Sequence, residues 1–211
     1  MTFTPPFPER ARPAPGPGPA PARNAFFGYG SLVNLATHEH RPARPARLSG
    51  WRRVWQGTHL RRPAFLSVAP APGDTIDGVL AVPAGGWDAL DRRERAYLWQ
   101  PAAITPLDGR PPDDGPAPAR APVLYRIDPA LAEDGKHPIL LSYLDCVLAG
   151  YHALFGIAGI DRFIATTDGW GRPLIDDRAR PIYSRARAPD PALARLIDAR
   201  LAALGLRRIR P

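Results

Sequence analysis

Two parts of the 211-residue sequence bring together residue types that could do chemistry: the run Gly28-Tyr29-Gly30-Ser31-Leu32 and the carboxylate of Glu94. Two glycines directly after an apolar Ala25-Phe26-Phe27 segment permit backbone angles that expose successive amide N–H groups. Such a turn can cradle a carboxylate or a developing oxyanion, although the same residues would also serve as a tight structural turn. Two familiar alternatives fail on spacing. A dinucleotide fingerprint needs glycine where Val33 stands, and a nucleophile elbow centred on Ser31 needs glycine at Tyr29 and Val33.

Glu94 draws its interest from its neighbours. If Trp87–Leu98 is helical, Glu94 falls inside the arc of Trp87, Leu90 and Tyr97, while Arg92, Arg93 and Arg95 point elsewhere. A carboxylate on an inward face is unfavourable unless it is paired or used. Burial also raises its pKa towards what a general base requires. An ion pair to one of the many arginines is the competing role. His38-Glu39-His40 alternates without a nearby carboxylate cluster and reads as a solvated loop, so no metal site is expected. Tyr143, Tyr151 and Cys146 fall on one long helix and read as core residues, the cysteine as a buried, inert thiol.

The elements that must position these residues are short strands and three helices. Strands are expected at residues 25–27, Trp51–Gln56, Phe65–Ala69, Thr75–Val82, Leu98–Thr105 and Val123–Ile127, with a further one possible over Arg172–Ile175. Helices are expected over Trp87–Leu98, Pro138–Phe155 and Pro191–Leu204, the last with Asp190 as N-cap and Gly205 as its stop. Strands first and helices mostly later give an α+β class. Met1–Arg23 is built from Pro, Ala, Gly and Arg and is expected to be an extended, mobile tail, leaving residues 24–211 as one domain with a C-terminal helical extension. Pro106–Pro122 reads as a long surface loop.

Composition bounds the rest. There are 28 basic and 20 acidic side chains, a formal net charge of +8, and 28 prolines. No run of about 18 uninterrupted apolar residues exists, so no membrane span is expected. The start of the chain lacks the apolar core of a secretory signal, and a single Cys146 cannot form an internal disulfide; a soluble, cytoplasmic protein is expected. Seven arginines and no acid lie between Arg41 and Arg62. A block of this kind reads as a solvated basic face, with nucleic-acid binding, aided by Arg207, Arg208 and Arg210, as the lesser alternative.

Three segments in order resemble the γ-glutamylcyclotransferase-like superfamily, which includes γ-glutamylcyclotransferases, ChaC-type glutathione-degrading enzymes and AIG2-like proteins. They are Phe27–Leu32, Ser49–Trp55, and Asp77-Gly78-Val79-Leu80 leading to Leu90-Asp91-Arg92-Arg93-Glu94. A fourth, Ser142-Tyr143-Leu144-Asp145, is similar to the family's later substrate-side helix. The resemblance covers residues 25–155 and implies a small closed mixed β-barrel with flanking helices and a cavity at its mouth. It further implies that Tyr29, Gly30, Ser31 and Leu32 hold a γ-glutamyl group, that Glu94 moves protons, and that Tyr143 borders the substrate. The implied reaction cyclises the γ-glutamyl group to 5-oxoproline, releasing an amine, amino acid or dipeptide without a cofactor. A catalytically silent metabolite-binding module of the same fold is the alternative. The Pro106–Pro122 loop and the Asp161–Tyr183 segment depart from the family core and are expected to border the cavity.

Overall fold

The computed structural model describes residues 22–110, 120–133 and 135–211. Strand β1 (Ala22–Gly28) runs into the core with Phe26 and Phe27 buried. The expected tail lies outside the described residues up to residue 21. Its last two residues are a correction: Ala22 and Arg23 belong to β1 and pair with Arg120 and Ala121. The physical reason is one specific side chain. Arg23 donates to both Asp91 carboxylate oxygens at 2.7 and 3.0 Å and lies against the rings of Trp87 and Trp99, which a Pro- and Ala-rich composition conceals.

β2 (Ala43–Thr58) and β3 (Arg61–Ala81) form one long antiparallel hairpin, paired from Ala43 opposite Ala81 to Thr58 opposite Arg61. Three separate expected strands are thus pieces of two. The punctuation that suggested breaks is a bulge: the register shifts between Ser49 and Trp51, at Gly50 with φ 82°, and Pro70 sits opposite Trp51. Helix α1 (Gly86–Arg93) is shorter than expected. It stops because Tyr97 and Trp99 belong to a strand, β4 (Tyr97–Pro101); β5 (Ile104–Pro106) follows after a two-residue break. β6 (Arg120–Ile127) pairs antiparallel with β4 and parallel with β1. Of the expected 106–122 loop, residues 111–119 lie outside the described residues.

Next come β7 (Ala132–Glu133) and β8 (Ile139–Leu140), so Pro138 precedes a short strand and does not open the helix. Helix α2 (Leu141–Ala165) is broken at Gly156 (φ 64°, ψ −163°), the expected stop, and then resumes to Ala165. It is long and apolar enough to cross a membrane, with a hydropathy of 1.4, but half of that stretch is buried in the protein. Leu144, Val147, Leu148 and Tyr151 pack into the main core with β2 and β3 side chains such as Leu48, Trp55 and Leu66.

The chain ends with β9 (Thr167–Asp168), β10 (Leu174–Ile175), α3 (Pro191–Ala203) and β11 (Arg208–Ile209). Asp190 caps α3 by accepting from the Ala192 and Leu193 amides at 2.9 and 3.0 Å. The main sheet runs β4-β6-β1-β3-β2-β5, with β7 and β9 added on β2, while β11-β10-β8 form a small parallel sheet. The class is α+β, as expected: a mixed sheet curled into a half-barrel with three helices around it. No ladder among the described residues joins β4 to β5.

Candidate active site

The loop after β1 is fixed from beneath. The Tyr29 hydroxyl donates to the Tyr125 carbonyl at 2.6 Å, and the Tyr29 carbonyl accepts from Arg53 Nε at 3.2 Å and the Tyr151 hydroxyl at 2.9 Å. Arg53 is fully buried on β2, its guanidinium between the rings of Tyr151 and Phe163. Its remaining donors go to the Asp77 carbonyl, the Tyr151 hydroxyl and Thr166 Oγ1. A buried cation whose acceptors include a loop carbonyl makes that loop costly to rearrange. α2 presses on the far side of the loop, where a Cβ on Gly150 would lie 2.6 Å from the Asn34 amide nitrogen, and Asn34 Nδ2 donates to the Cys146 carbonyl at 2.8 Å.

Within the loop, the Val33 and Asn34 amides close back onto the Gly30 and Ser31 carbonyls at 3.0 and 3.2 Å. The amides of Gly30, Ser31 and Leu32 have no acceptor among the described residues. These three residues, with Tyr29, line a cavity of about 140 Å³ whose wall also contains Glu94 and Tyr143. All six site residues expected from the sequence therefore meet in one place. Tyr143 stands over Gly30, where an added Cβ would lie 2.8 Å from its hydroxyl oxygen, so only glycine leaves that hydroxyl its position. Tyr143, expected as a core aromatic on its own spacing, instead borders the cavity, and Tyr151 is a core aromatic with a hydroxyl that holds the loop.

Glu94 reaches the cavity by a different route from the one expected. It is the C-cap of α1, outside the helix, with its amide bonded to the Leu90 carbonyl at 2.9 Å and its carbonyl accepting from Tyr97 at 2.8 Å. That turn, with the Tyr97 hydroxyl anchored on the Leu66 carbonyl at 2.9 Å, aims the carboxylate inward. Burial pushes the Glu94 carboxyl above the ordinary carboxylate range, against the pull of Arg93, Arg185 and Arg61. Arg93 Nε lies 3.2 Å from Glu94 Oε1, and Arg93 Nη2 lies 3.4 Å from Ser31 Oγ, tying the carboxylate to the loop.

Among the cavity-lining residues that sequence reasoning did not single out as site residues are Arg61, Arg93, Tyr183 and Arg185. Tyr183 closes the expected 161–183 bordering segment, and its ring meets Tyr143 edge to face with centroids 5.0 Å apart. Both tyrosines hang from one buried carboxylate. Asp177 accepts from the Ser142 amide (2.8 Å), Ser142 Oγ (2.5 Å) and the Ile182 amide (2.9 Å). Ser142 was visible in the sequence only as part of a motif; its partner 35 residues away was not.

The arginine block needs correction as well. Arg44 pairs with Asp108 at 3.2 Å, Arg47 with Asp77 at 3.0 Å and Arg52 with Asp168 at 2.8 Å, while Arg53 is buried and Arg61 lines the cavity. Much of the expected solvated face is thus committed within the fold. His38 and His40 are not a solvated pair either. Their rings stack with centroids 4.6 Å apart, and His38 Nε2 lies 2.8 Å from the Leu32 carbonyl. Burial lowers both pKa values, His40 to about 4. Cys146 is buried with its thiol pushed up to about 11 by desolvation, an unreactive state.

Solved structures share this arrangement of elements. A protein described as gamma-glutamyl cyclotransferase superposes with a TM-score of 0.51 at 13% identity, over 83% of this chain and 98% of its own. An uncharacterized protein from Homo sapiens gives 0.52 at 15%, over 82% and 97%. YkqA from Bacillus subtilis gives 0.52 at 16%, over 69% of this chain and 55% of its own. No family model matches the chain, and no curated protein matches it significantly by sequence. At these identities the likeness concerns the fold: the chain has the γ-glutamylcyclotransferase-like fold that its motifs implied.

Proposed function

We propose that this protein is a cofactor-independent γ-glutamylcyclotransferase. The carrying observation is that Glu94, a carboxylate with a raised pKa, shares one small cavity with three unsatisfied amides of the 30–32 loop. The fold it shares with a gamma-glutamyl cyclotransferase supports the same reading. In the reaction, Glu94 takes a proton from the substrate's α-ammonium, and the freed amine nitrogen attacks the γ-carbonyl carbon. The loop amides stabilise the oxyanion of the tetrahedral intermediate. The bond from that carbon to the leaving nitrogen then breaks as Glu94 returns its proton to that nitrogen. The ring nitrogen, which still carries two protons after attack, passes one on through Glu94, giving 5-oxoproline and the released amine as its ammonium ion. Water is neither consumed nor released. Folding the chain so that amine faces carbonyl contributes up to about 7–11 kcal/mol in well-oriented cases. The enclosing Tyr143 and Tyr183 favour that folded shape.

One observation favours a silent metabolite-binding module: the Arg93–Glu94 contact at 3.2 Å would also suit a purely structural ion pair. Incubation with a panel of γ-glutamyl compounds and mass-spectrometric detection of 5-oxoproline separates the two. Turnover supports the enzyme; binding of γ-glutamyl compounds without 5-oxoproline supports the module.

A further inference from the structure

The charges around the cavity do not balance. Three arginines, Arg61, Arg93 and Arg185, line it together with one carboxylate, Glu94. Arg93 is committed to Glu94 and Ser31. Arg61 and Arg185 form no ion pair with any described residue, unlike Arg44, Arg47 and Arg52 of the same block. Arg61 sits at the tip of the β2–β3 hairpin, its guanidinium held 3.5 Å from the Phe65 ring centroid. Arg185 comes from the opposite side, two residues beyond Tyr183 on the segment that Asp177 anchors. Both residues are exposed, at the outer end of the site, whereas the 30–32 amides lie at its inner end. Two unpaired cations aimed at one small space repel each other, and an anion between them removes that cost. A planar guanidinium stacked on an aromatic face is also a pre-organised carboxylate receptor.

Resting on the cyclotransferase reading, we propose that Arg61 and Arg185 are specificity-determining residues that select γ-glutamyl compounds whose leaving amine carries a carboxylate, as in γ-glutamyl amino acids and peptides. The inner amides take the glutamyl end, so the arginines meet the part that departs. A neutral leaving group forgoes both contacts, and a cationic one is repelled.

The test uses γ-glutamylglycine and γ-glutamylglycinamide, which differ only in the terminal charge. For the full-length protein, kcat/KM for the acid should exceed that for the amide by about tenfold, the usual scale for one charge-assisted contact. The ratio should shrink in high salt. It should fall to near one in the Arg61→Gln/Arg185→Gln double variant and recover in part in the Arg61→Lys/Arg185→Lys variant. Equal rates on both compounds, or a ratio that survives the double variant, would overturn the proposal. If neither compound yields 5-oxoproline, the cyclotransferase reading has failed, and calorimetric titration of the same pair decides the role of the arginines. Tighter binding of the acid, lost in the double variant, supports it; equal binding, or none, overturns it.

Discussion

The floor of the cavity and its mouth are built in opposite ways. On the floor, the working groups are backbone amides, and every support beneath them is buried: Arg53, Tyr151, Tyr29 and the close approach of α2 at Gly150. At the mouth, the working groups are long side chains, Arg61 and Arg185, on exposed positions with few tethers. A floor tied to the core cannot change without unfolding energy being spent, whereas a mouth of free side chains changes by single substitutions. On the proposed cyclotransferase reading, the reaction step belongs to the first kind of construction and the choice of leaving group to the second. Glu94 stands where they meet, joined to the floor through Arg93 and Ser31 and to the mouth through the charges of Arg61 and Arg185.

The largest effect should come at that meeting point. Glu94→Gln keeps the shape of the side chain but cannot accept a proton, and general acid–base catalysis is worth about 10²–10⁴-fold, so kcat for 5-oxoproline formation should fall by that order. Substrate affinity, measured by calorimetry, should change far less because the loop amides remain. Normal turnover by the variant would remove Glu94 from the mechanism.

A paired measurement breaks the floor–mouth comparison directly. Arg53→Leu leaves the single Tyr151 hydroxyl to serve both buried Tyr29 and Asp77 carbonyls, so one of them loses its donor at about 1–3 kcal/mol. Arg61→Leu removes an exposed residue whose stabilising contact is its stack on Phe65, and should cost no more than about 1 kcal/mol. Denaturant unfolding of the two variants measures both. Similar losses would mean that the floor is not the rigid part.

Asp91 tests a boundary of the floor. On helical spacing Asp91 falls at the edge of the apolar arc around Glu94, so from sequence alone Asp91→Asn is expected to leave most activity. The structure makes Asp91 a partner of Arg23 at 2.7 Å and of the Tyr125 hydroxyl at 2.6 Å, with its side chain 10% exposed. The substitution should therefore lower unfolding stability by about 1–3 kcal/mol through a weakened charge-assisted contact. Turnover per folded molecule should fall much less than with Glu94→Gln. For the same reason, truncation after Arg23 should destabilise the fold, whereas truncation ahead of Ala22 leaves that contact in place.

What could be read from the sequence divides along the same line. The loop was legible because two glycines around Tyr29 permit backbone angles and close approaches that a side chain would block. Glu94 was legible as a carboxylate among apolar neighbours, although the helical geometry assumed for it was wrong. The aromatic pair Tyr97 and Trp99 pulls the chain into β4, and a C-cap turn happens to direct the same side chain inward. The mouth was not legible. Arg61 has the same composition around it as Arg44 or Arg47, and only the three-dimensional pairing distinguishes a spent arginine from an unpaired one. Tyr183 and Arg185 lie in a segment without periodicity, located by Asp177 through hydrogen bonds to Ser142 and Ile182. No local pattern encodes a partnership across 35 residues.

The smallest expected effect concerns the stability cost of keeping Glu94 at the junction. Burial holds its folded-state pKa above the unfolded value, so burial outweighs the attraction of Arg93, Arg185 and Arg61. A carboxyl of this kind contributes stability that is fully present below the unfolded pKa, near 4.3, and is lost as pH rises through the raised folded value. At neutral pH the ionised side chain is therefore a net burden on the fold. Glu94→Gln removes that burden, so at pH 7 the inactive variant should melt at a higher temperature than the wild type. The gap should narrow as pH falls through the folded pKa of Glu94, while the acid limb of kcat/KM for the wild type drops over the same range. Thermal melts of both proteins across pH 4 to 8 would check this. A variant less stable than wild type at pH 7 would show that the Arg93 ion pair, and not desolvation, dominates at this carboxylate, and would turn Glu94 from a poised base into a structural tie between floor and mouth.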